Sequence, residues 1–479
     1  MHTAAALTKY GADISRGWGN PISMRSVLLL FLATVLCTSV AAFSDTLGYL
    51  PILPIALVSG YLFIRDPRVR FSSTLGMIML LQVFETAVFL QYAAAVIFNG
   101  GLLLVIIERK LFQDRKVTPS AMLLPFSLFL LWGAGVGFLN VILGGVRFEQ
   151  WYREVLLWAP LFLMPIYYQD IIERKLNPEQ FLKWSLLLLW IAVFLASYLK
   201  IRNNLVQAAY LFQIGISRYD TINGAFMMFI FLTLAMLEER KNRLLLLCGF
   251  FFSVGSLILT FGRTAWFASV MFMPVVILLG NKVERKNGWR FVWLLIVCAV
   301  VFGIVGYLYV PTVELALNFF WSKVTSVSLG AKDASMYNRY IEWNGLVHYV
   351  KDLPLTGGGF GATFKNYNWL LGITGQAHYT HSAYLGVVLK AGIVGFILLF
   401  ISIVGYMIKG IKFLRDKRLT STERAYIRAG IATMLYTAVI GYTGNVFYQR
   451  EMMMYIAFYW CYCIGIEYKL KQLDGAVTV

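Results

Sequence analysis

The sequence predicts an all-α polytopic membrane protein with about fourteen transmembrane helices. Three observations carry that fold class. Of 479 residues, 59% are hydrophobic and only 14% are charged, a balance that would cover a water-soluble domain with large apolar patches. Apolar runs long enough to cross a bilayer recur from residue 26 to residue 467. Lys and Arg gather in short clusters between alternate runs, as they do in cytoplasmic loops facing anionic lipid.

That distribution also fixes the reading of the net charge of +18. Spread over short interspan loops, it points to a lipid surface and not to nucleic acid. The 16% aromatic content supplies interfacial belts. Cys37, Cys248, Cys298, Cys461 and Cys463 all fall inside apolar runs, so they read as small hydrophobes. Their spacing forms neither a disulfide framework nor a zinc site.

Residues 1–25 form a polar cytoplasmic tail, and residues 26–310 hold spans one to eleven. The run from Ser26 to Phe43 is long for a signal peptide and reads as the first, uncleaved span. Leu47 to Ile64 returns to Arg65, Arg68 and Arg70. Residues 73–108 accommodate two short spans turning near Tyr92, with Glu85 an unexplained acid inside the segment. Residues 119–143 cross outward, Arg147 to Glu154 lies along the outer interface, and Leu156 to Tyr168 returns. Phe181 to Leu199 leads to an outer loop from Lys200 to Thr221. Ile222 to Leu237, Leu244 to Phe261, Thr264 to Gly280 and Phe291 to Val310 then alternate in direction. Residues 311–380 are a long outer loop subdomain of short helices. Residues 381–467 contain spans twelve to fourteen: a continuous helix from His381 to about Met407, then 429–445 and 452–467. Residues 468–479 are a second cytoplasmic tail. Strict alternation places every dense Lys/Arg cluster on one side. No inverted repeat of the transporter kind is visible.

With orientation fixed, the outer cations need a reason to be there. Arg218 precedes a span, Arg263 sits in a hairpin with almost no loop, Arg339 lies in the long loop, and His381 opens the next span. The topology brings all four to one face. Guanidinium forks bind phosphate oxygens bidentately and stay charged when partly desolvated, which suits a diphosphate at a bilayer surface. The bland alternative is that these arginines snorkel to lipid phosphates. No D-x-D carboxylate pair is present to hold a diphosphate through a metal.

As a continuous helix, the stretch from His381 places His381, Leu385, Val388, Gly392 and Gly395 near one face. Ala391 and Gly395 form a small-residue pair that lets another helix approach. The positive end of the helix disfavours an imidazolium, so a neutral imidazole at the membrane lip suits a general base. The plain alternative is a helix cap bonded to headgroups. His378 and Tyr384 stand close enough in sequence to support His381, and His348 reads as structural.

His381-Ser382, nine residues, then Gly392-x-x-Gly395, entering a span, resembles the signature of the O-antigen ligase and polymerase family of membrane glycosyltransferases. The resemblance extends from about residue 218 to residue 400. Arg218 matches the family's arginine before a span, and Arg263 its hairpin arginine, with Gly262 in place of the usual Ser. Arg339, Trp343 and the turn Pro354-Leu355-Thr356-Gly357-Gly358-Gly359-Phe360-Gly361 match its long loop. The turn lacks the framing of a dinucleotide fingerprint.

The resemblance implies an architecture related to the GT-C glycosyltransferases. It implies an enzyme without cofactor or metal, whose donor is a glycan on a polyprenyl (undecaprenyl) diphosphate. His381 would deprotonate an acceptor hydroxyl, while Arg218, Arg263 and Arg339 hold the diphosphate. The acceptor would be a second lipid-linked glycan for a polymerase, or lipid A core for a ligase. The place would be the outer, periplasmic face of a bacterial inner membrane. The competing class is a flippase without chemistry, which would show charged residues inside discontinuous spans; apart from Glu85 the sequence shows few.

Overall fold

The computed structural model describes residues 123–158, 221–237, 242–259, 263–309, 334–368, 372–448 and 450–474, with a few single residues besides, Phe63 and Arg70 among them. Arg218, Glu85 and the spans expected before residue 119 and from 159 to 220 lie outside them, single residues apart. The chain divides into two units. One comprises Met1–Pro119, Ala159–Ala196 and Met454–Val479. In it the buried Arg70 donates from Nη1 to the Phe63 carbonyl at 3.0 Å. The other comprises Ser120–Trp158 and Ser197–Met453 and contains every described element used below, α10 in part.

Ten α-helices and one hairpin are described: α1 Leu123–Ile142, α2 Phe148–Trp158, α3 Thr221–Ala235, α4 Arg243–Leu259, α5 Arg263–Leu278, α6 Lys282–Tyr309, α7 Ala334–Val350, β1 Phe364–Asn368, β2 Ile373–Ala377, α8 Ala383–Leu414, α9 Ser421–Thr443 and α10 Arg450–Leu473. The molecule is mostly helical. Among the described residues, α6, α8 and residues Leu124–Ile142 of α1 are long and apolar enough to cross a membrane. Leu294, Val297, Val300 and Leu308 of α6 are exposed, a surface suited to hydrocarbon.

The helix ends are set locally. Thr420 and Glu423 form a capping box at α9: Glu423 N–H donates to the Thr420 hydroxyl at 3.2 Å, and Thr420 N–H to the Glu423 carboxylate at 2.8 Å. Asn281 and Glu284 exchange the same two bonds at the start of α6, each at 2.9 Å. The helix that carries the expected span from Phe291 therefore begins earlier, at Lys282, because the cap nucleates it through the basic segment.

α3, α5 and α8 pack on α9. α5 and α9 run antiparallel. At one end Thr443 donates to Thr264 at 2.9 Å; at the other the buried Arg428 donates from Nη1 to Glu284 Oε2 at 2.7 Å. α1 packs along α8. Phe129 lies beside Gly395, and Trp132 donates from Nε1 to the Ala391 carbonyl at 3.1 Å. The small pair at 391 and 395 thus meets α1.

Three expectations are corrected here. α8 is not one continuous helix from His381. It starts at Ala383, with Ser382 as N-cap accepting from Leu385 N–H at 3.4 Å, and its backbone breaks at Gly392, φ 62° and ψ −170°. A break at 392 undoes the single face expected to run from His381 to Gly395. The loop subdomain is not made of helices alone: α7 packs on β1, paired antiparallel with β2 in the register Phe364 to Ala377. Phe364, Leu346 and Leu389 form its buried core with α8. Glu154, the last residue of the stretch expected along the outer interface, faces inward from α2 and is buried.

Candidate active site

The Gly-rich turn and the break in α8 are one construction. Ile393 N–H donates to the Pro354 carbonyl at 2.9 Å, and Gly358 N–H to the Leu389 carbonyl at 2.8 Å. The backbone groups freed by the broken helix are thereby satisfied by the turn. A Cβ on Gly392 would lie 2.1 Å from the Leu355 carbonyl oxygen, and one on Gly357, at φ 64°, 2.5 Å from Gly392 N. Phe360 then enters between Trp158, stacked at 6.0 Å, and Phe129, edge-on at 6.0 Å. Its N–H donates to the Gly133 carbonyl at 2.9 Å, and Asn140 reaches the Gly358 carbonyl at 2.8 Å.

A buried ion pair fastens this junction. Lys390 donates from Nζ to Glu154 Oε1 at 2.5 Å and to the Ala362 carbonyl, while Glu154 Oε2 accepts Gly361 N–H at 2.6 Å. Three segments far apart in sequence meet on two side chains that are almost wholly buried. Few buried charges were expected in a discontinuous span, yet Lys390 stands two residues before the break. It escapes notice in the sequence because its partner lies 236 residues away.

The junction fixes the start of α8, and with it His381, which stands one residue before the cap and not in the first helical turn. Glu342 of α7 grips it twice. Oε1 accepts the His381 backbone N–H at 2.6 Å, and Oε2 lies 2.6 Å from His381 Nδ1. The Glu342 side chain is 2% exposed and that of His381 34%, so the ring is held from the inside and open on its other edge. Burial alone pushes the Glu342 carboxyl up. The hydrogen bond and charge of His381, with bonds from Thr380 and the His381 N–H, outweigh it and hold the carboxyl below its usual value. The Tyr379 ring stands edge-on to the imidazole at 5.6 Å.

Around this pair the structure gathers other residues the sequence singled out. Arg339 lies on α7 three residues before Glu342, its Nη1 3.8 Å from Met336 Sδ. Trp343 packs edge-on against Tyr340 at 5.5 Å and Tyr442 at 5.2 Å. Tyr442 adjoins Thr443, which bonds Thr264 beside Arg263, the first residue of α5. A run of neighbours therefore joins Arg263 to His381 at one end of the helices. Tyr384 donates to the Ala438 carbonyl at 2.5 Å and ties α8 to α9. His378, just past β2, is exposed, as is His348 near the end of α7.

Glu342 is the residue that sequence reasoning missed. Its signal was present but weak: an acid between Ile341 and Trp343, one helical turn after Arg339. Chemically, the arrangement offers an oriented imidazole with one free ring edge and guanidinium groups on neighbouring elements. Residues 248–400 match the family model described as O-antigen ligase, which supports membership of the O-antigen ligase and polymerase family. No curated protein matches the chain. An O-antigen ligase domain implies glycosyl transfer in polysaccharide or lipopolysaccharide synthesis, and the apolar helices around it suit a membrane protein.

Proposed function

From an O-antigen ligase domain that covers Arg263, Arg339 and His381 together, we propose that the chain moves a preassembled glycan from a polyprenyl diphosphate to an acceptor hydroxyl. That coverage is the observation on which the reading rests. His381 Nε2 takes the acceptor proton, the acceptor oxygen bonds to the anomeric carbon, and the bond from that carbon to the diphosphate oxygen breaks with its electron pair leaving on the diphosphate. Arg263 and Arg339, with Arg218 from outside the described residues, neutralise the charge that develops there. The reaction runs on the outer face of a bacterial inner membrane, in a GT-C-like bundle of about fourteen helices. The 311–380 subdomain supplies Arg339 and Glu342 to the site. The acceptor is a second lipid-linked glycan, as for an O-antigen or exopolysaccharide polymerase, or lipid A core, as for a ligase.

One observation favours the flippase reading: Lys390 lies in a broken apolar helix. Its ammonium is committed to Glu154 and the Ala362 carbonyl, so it secures the turn and meets no cargo. The test is transfer by the purified full chain in vesicles holding a lipid-linked glycan, with a chelator present. Glycan should appear on one of the two acceptors, and the productive acceptor identifies polymerase or ligase. Glycan crossing the vesicle membrane with no new glycosidic bond on either acceptor would establish the flippase.

A further inference from the structure

Glu342 makes two hydrogen bonds to one residue, and the second has no structural necessity. A carboxylate that only closed the loop before α8 would need the backbone N–H of His381 and nothing more. Here Oε1 takes that N–H and Oε2 takes ring Nδ1, both at 2.6 Å. We propose that Glu342 is a positioning residue that sets the tautomer and direction of His381, and that the base of this enzyme is a His–Glu pair assembled across α7 and α8. The inference rests on the function proposed above and deepens it.

The chemistry follows from the acceptor inventory. An ionised carboxylate accepts hydrogen bonds and donates none, so the Nδ1 facing it carries the proton. In the neutral ring the lone pair then belongs to Nε2, the nitrogen on the edge turned away from Glu342. When Nε2 accepts the acceptor's proton, the positive charge on the ring faces a buried carboxylate at hydrogen-bond distance. That charge is stabilised as it forms, without any group having to move. The carboxylate is itself prepared: Thr380 bonds it from the segment just before His381, and Thr380 Oγ1 in turn accepts Ser382 N–H at 3.3 Å. The base is therefore complete only when the loop subdomain's α7 is docked on the start of α8, since the two partners are 39 residues apart.

The experiment is steady-state transfer by the full chain in nanodiscs, with a lipid-linked glycan donor, for wild type, Glu342→Gln, Glu342→Asp, His381→Ala and the double variant Glu342→Gln/His381→Ala. Glu342→Gln keeps shape and loses charge. It should lower kcat about 10- to 100-fold, the scale on which groups that orient a functional histidine act, and leave the donor KM within about twofold. Added to His381→Ala, the same change should cost nothing more, because its target is gone. Glu342→Asp should restore part of kcat by restoring the charge. Glu342→Gln with kcat within about twofold of wild type, or a loss that simply multiplies that of His381→Ala, would overturn the proposal. If Glu342→Gln does not fold, Glu342→Asp decides alone: its shorter stem cannot reach both partners, so an unchanged kcat overturns the role and a lower kcat at constant KM supports it. Near-normal transfer in His381→Ala is a different result: it removes His381 as the base, and the pair with it, while glycan transfer itself stands.

Discussion

Two buried carboxylates do different work in this molecule because their partners differ. Glu154 faces the Lys390 ammonium and a backbone N–H, and both are spent on holding the Gly-rich turn against α8. Glu342 faces an imidazole whose far edge is open. Removing one partner of a buried ion pair leaves the other charge uncompensated, which typically costs about 3–5 kcal/mol. Lys390→Ala should therefore lower the thermal unfolding temperature in detergent sharply, whereas Lys390→Met combined with Glu154→Gln should recover much of the loss. A single variant as stable as wild type would mean that the pair does not secure the junction. Sequence reasoning singled out His381 because its position before an apolar run carries a signature of its own. It missed Glu342 and misread Glu154 because an acid on a short helix looks solvent-facing until its partner is known. Both partners lie far along the chain, His381 39 residues from Glu342 and Lys390 236 from Glu154.

At the scale of elements, the decisive feature is the interruption of α8 by the turn from Pro354 to Gly361. Glycine inside a helical pattern is ordinarily tolerated at roughly 1 kcal/mol, so the pattern around Gly392 reads as continuous helix in sequence. The break comes from outside, from carbonyls at 354 and 355 that accept the freed N–H groups of Ile393 and Val394. Gly392 adopts a conformation open almost only to glycine, and a Cβ there would meet the Leu355 carbonyl. Gly392→Ala should reduce folded yield and unfolding temperature strongly. Gly135→Ala on α1, where a Cβ meets nothing, should be neutral or slightly stabilising. Equal behaviour of the two variants would contradict the interlock. The sequence did disclose the participants, the Gly-rich turn and the Gly-x-x-Gly pair, but not that they bind each other, since neither pattern encodes a partner.

For the whole molecule, helices that alternate in direction carry Arg263 and His381 to one end and the capping boxes at Asn281 and Thr420 to the other. Hydrophobic runs and Lys/Arg clusters made that helical, membrane-embedded character readable, because the bilayer imposes both patterns on sequence. The β1–β2 hairpin was not readable, because its short polar strands carry no such pattern. Single cysteines at Ser335, in α7, and at Lys286, in α6, should label with an impermeant reagent from opposite sides of the membrane. Labelling of both from outside would put Arg263, at the other end from Lys286, on the face opposite the loop subdomain. In the proposed reaction His381 takes a proton during glycan transfer, and a paired measurement tests that step. Transfer of a lipid-linked glycan and binding of the polyprenyl-diphosphate donor are followed side by side in wild type and His381→Ala. Loss of a general base should lower transfer by roughly 10²- to 10⁴-fold with donor binding nearly intact. Near-normal transfer in His381→Ala would contradict the account.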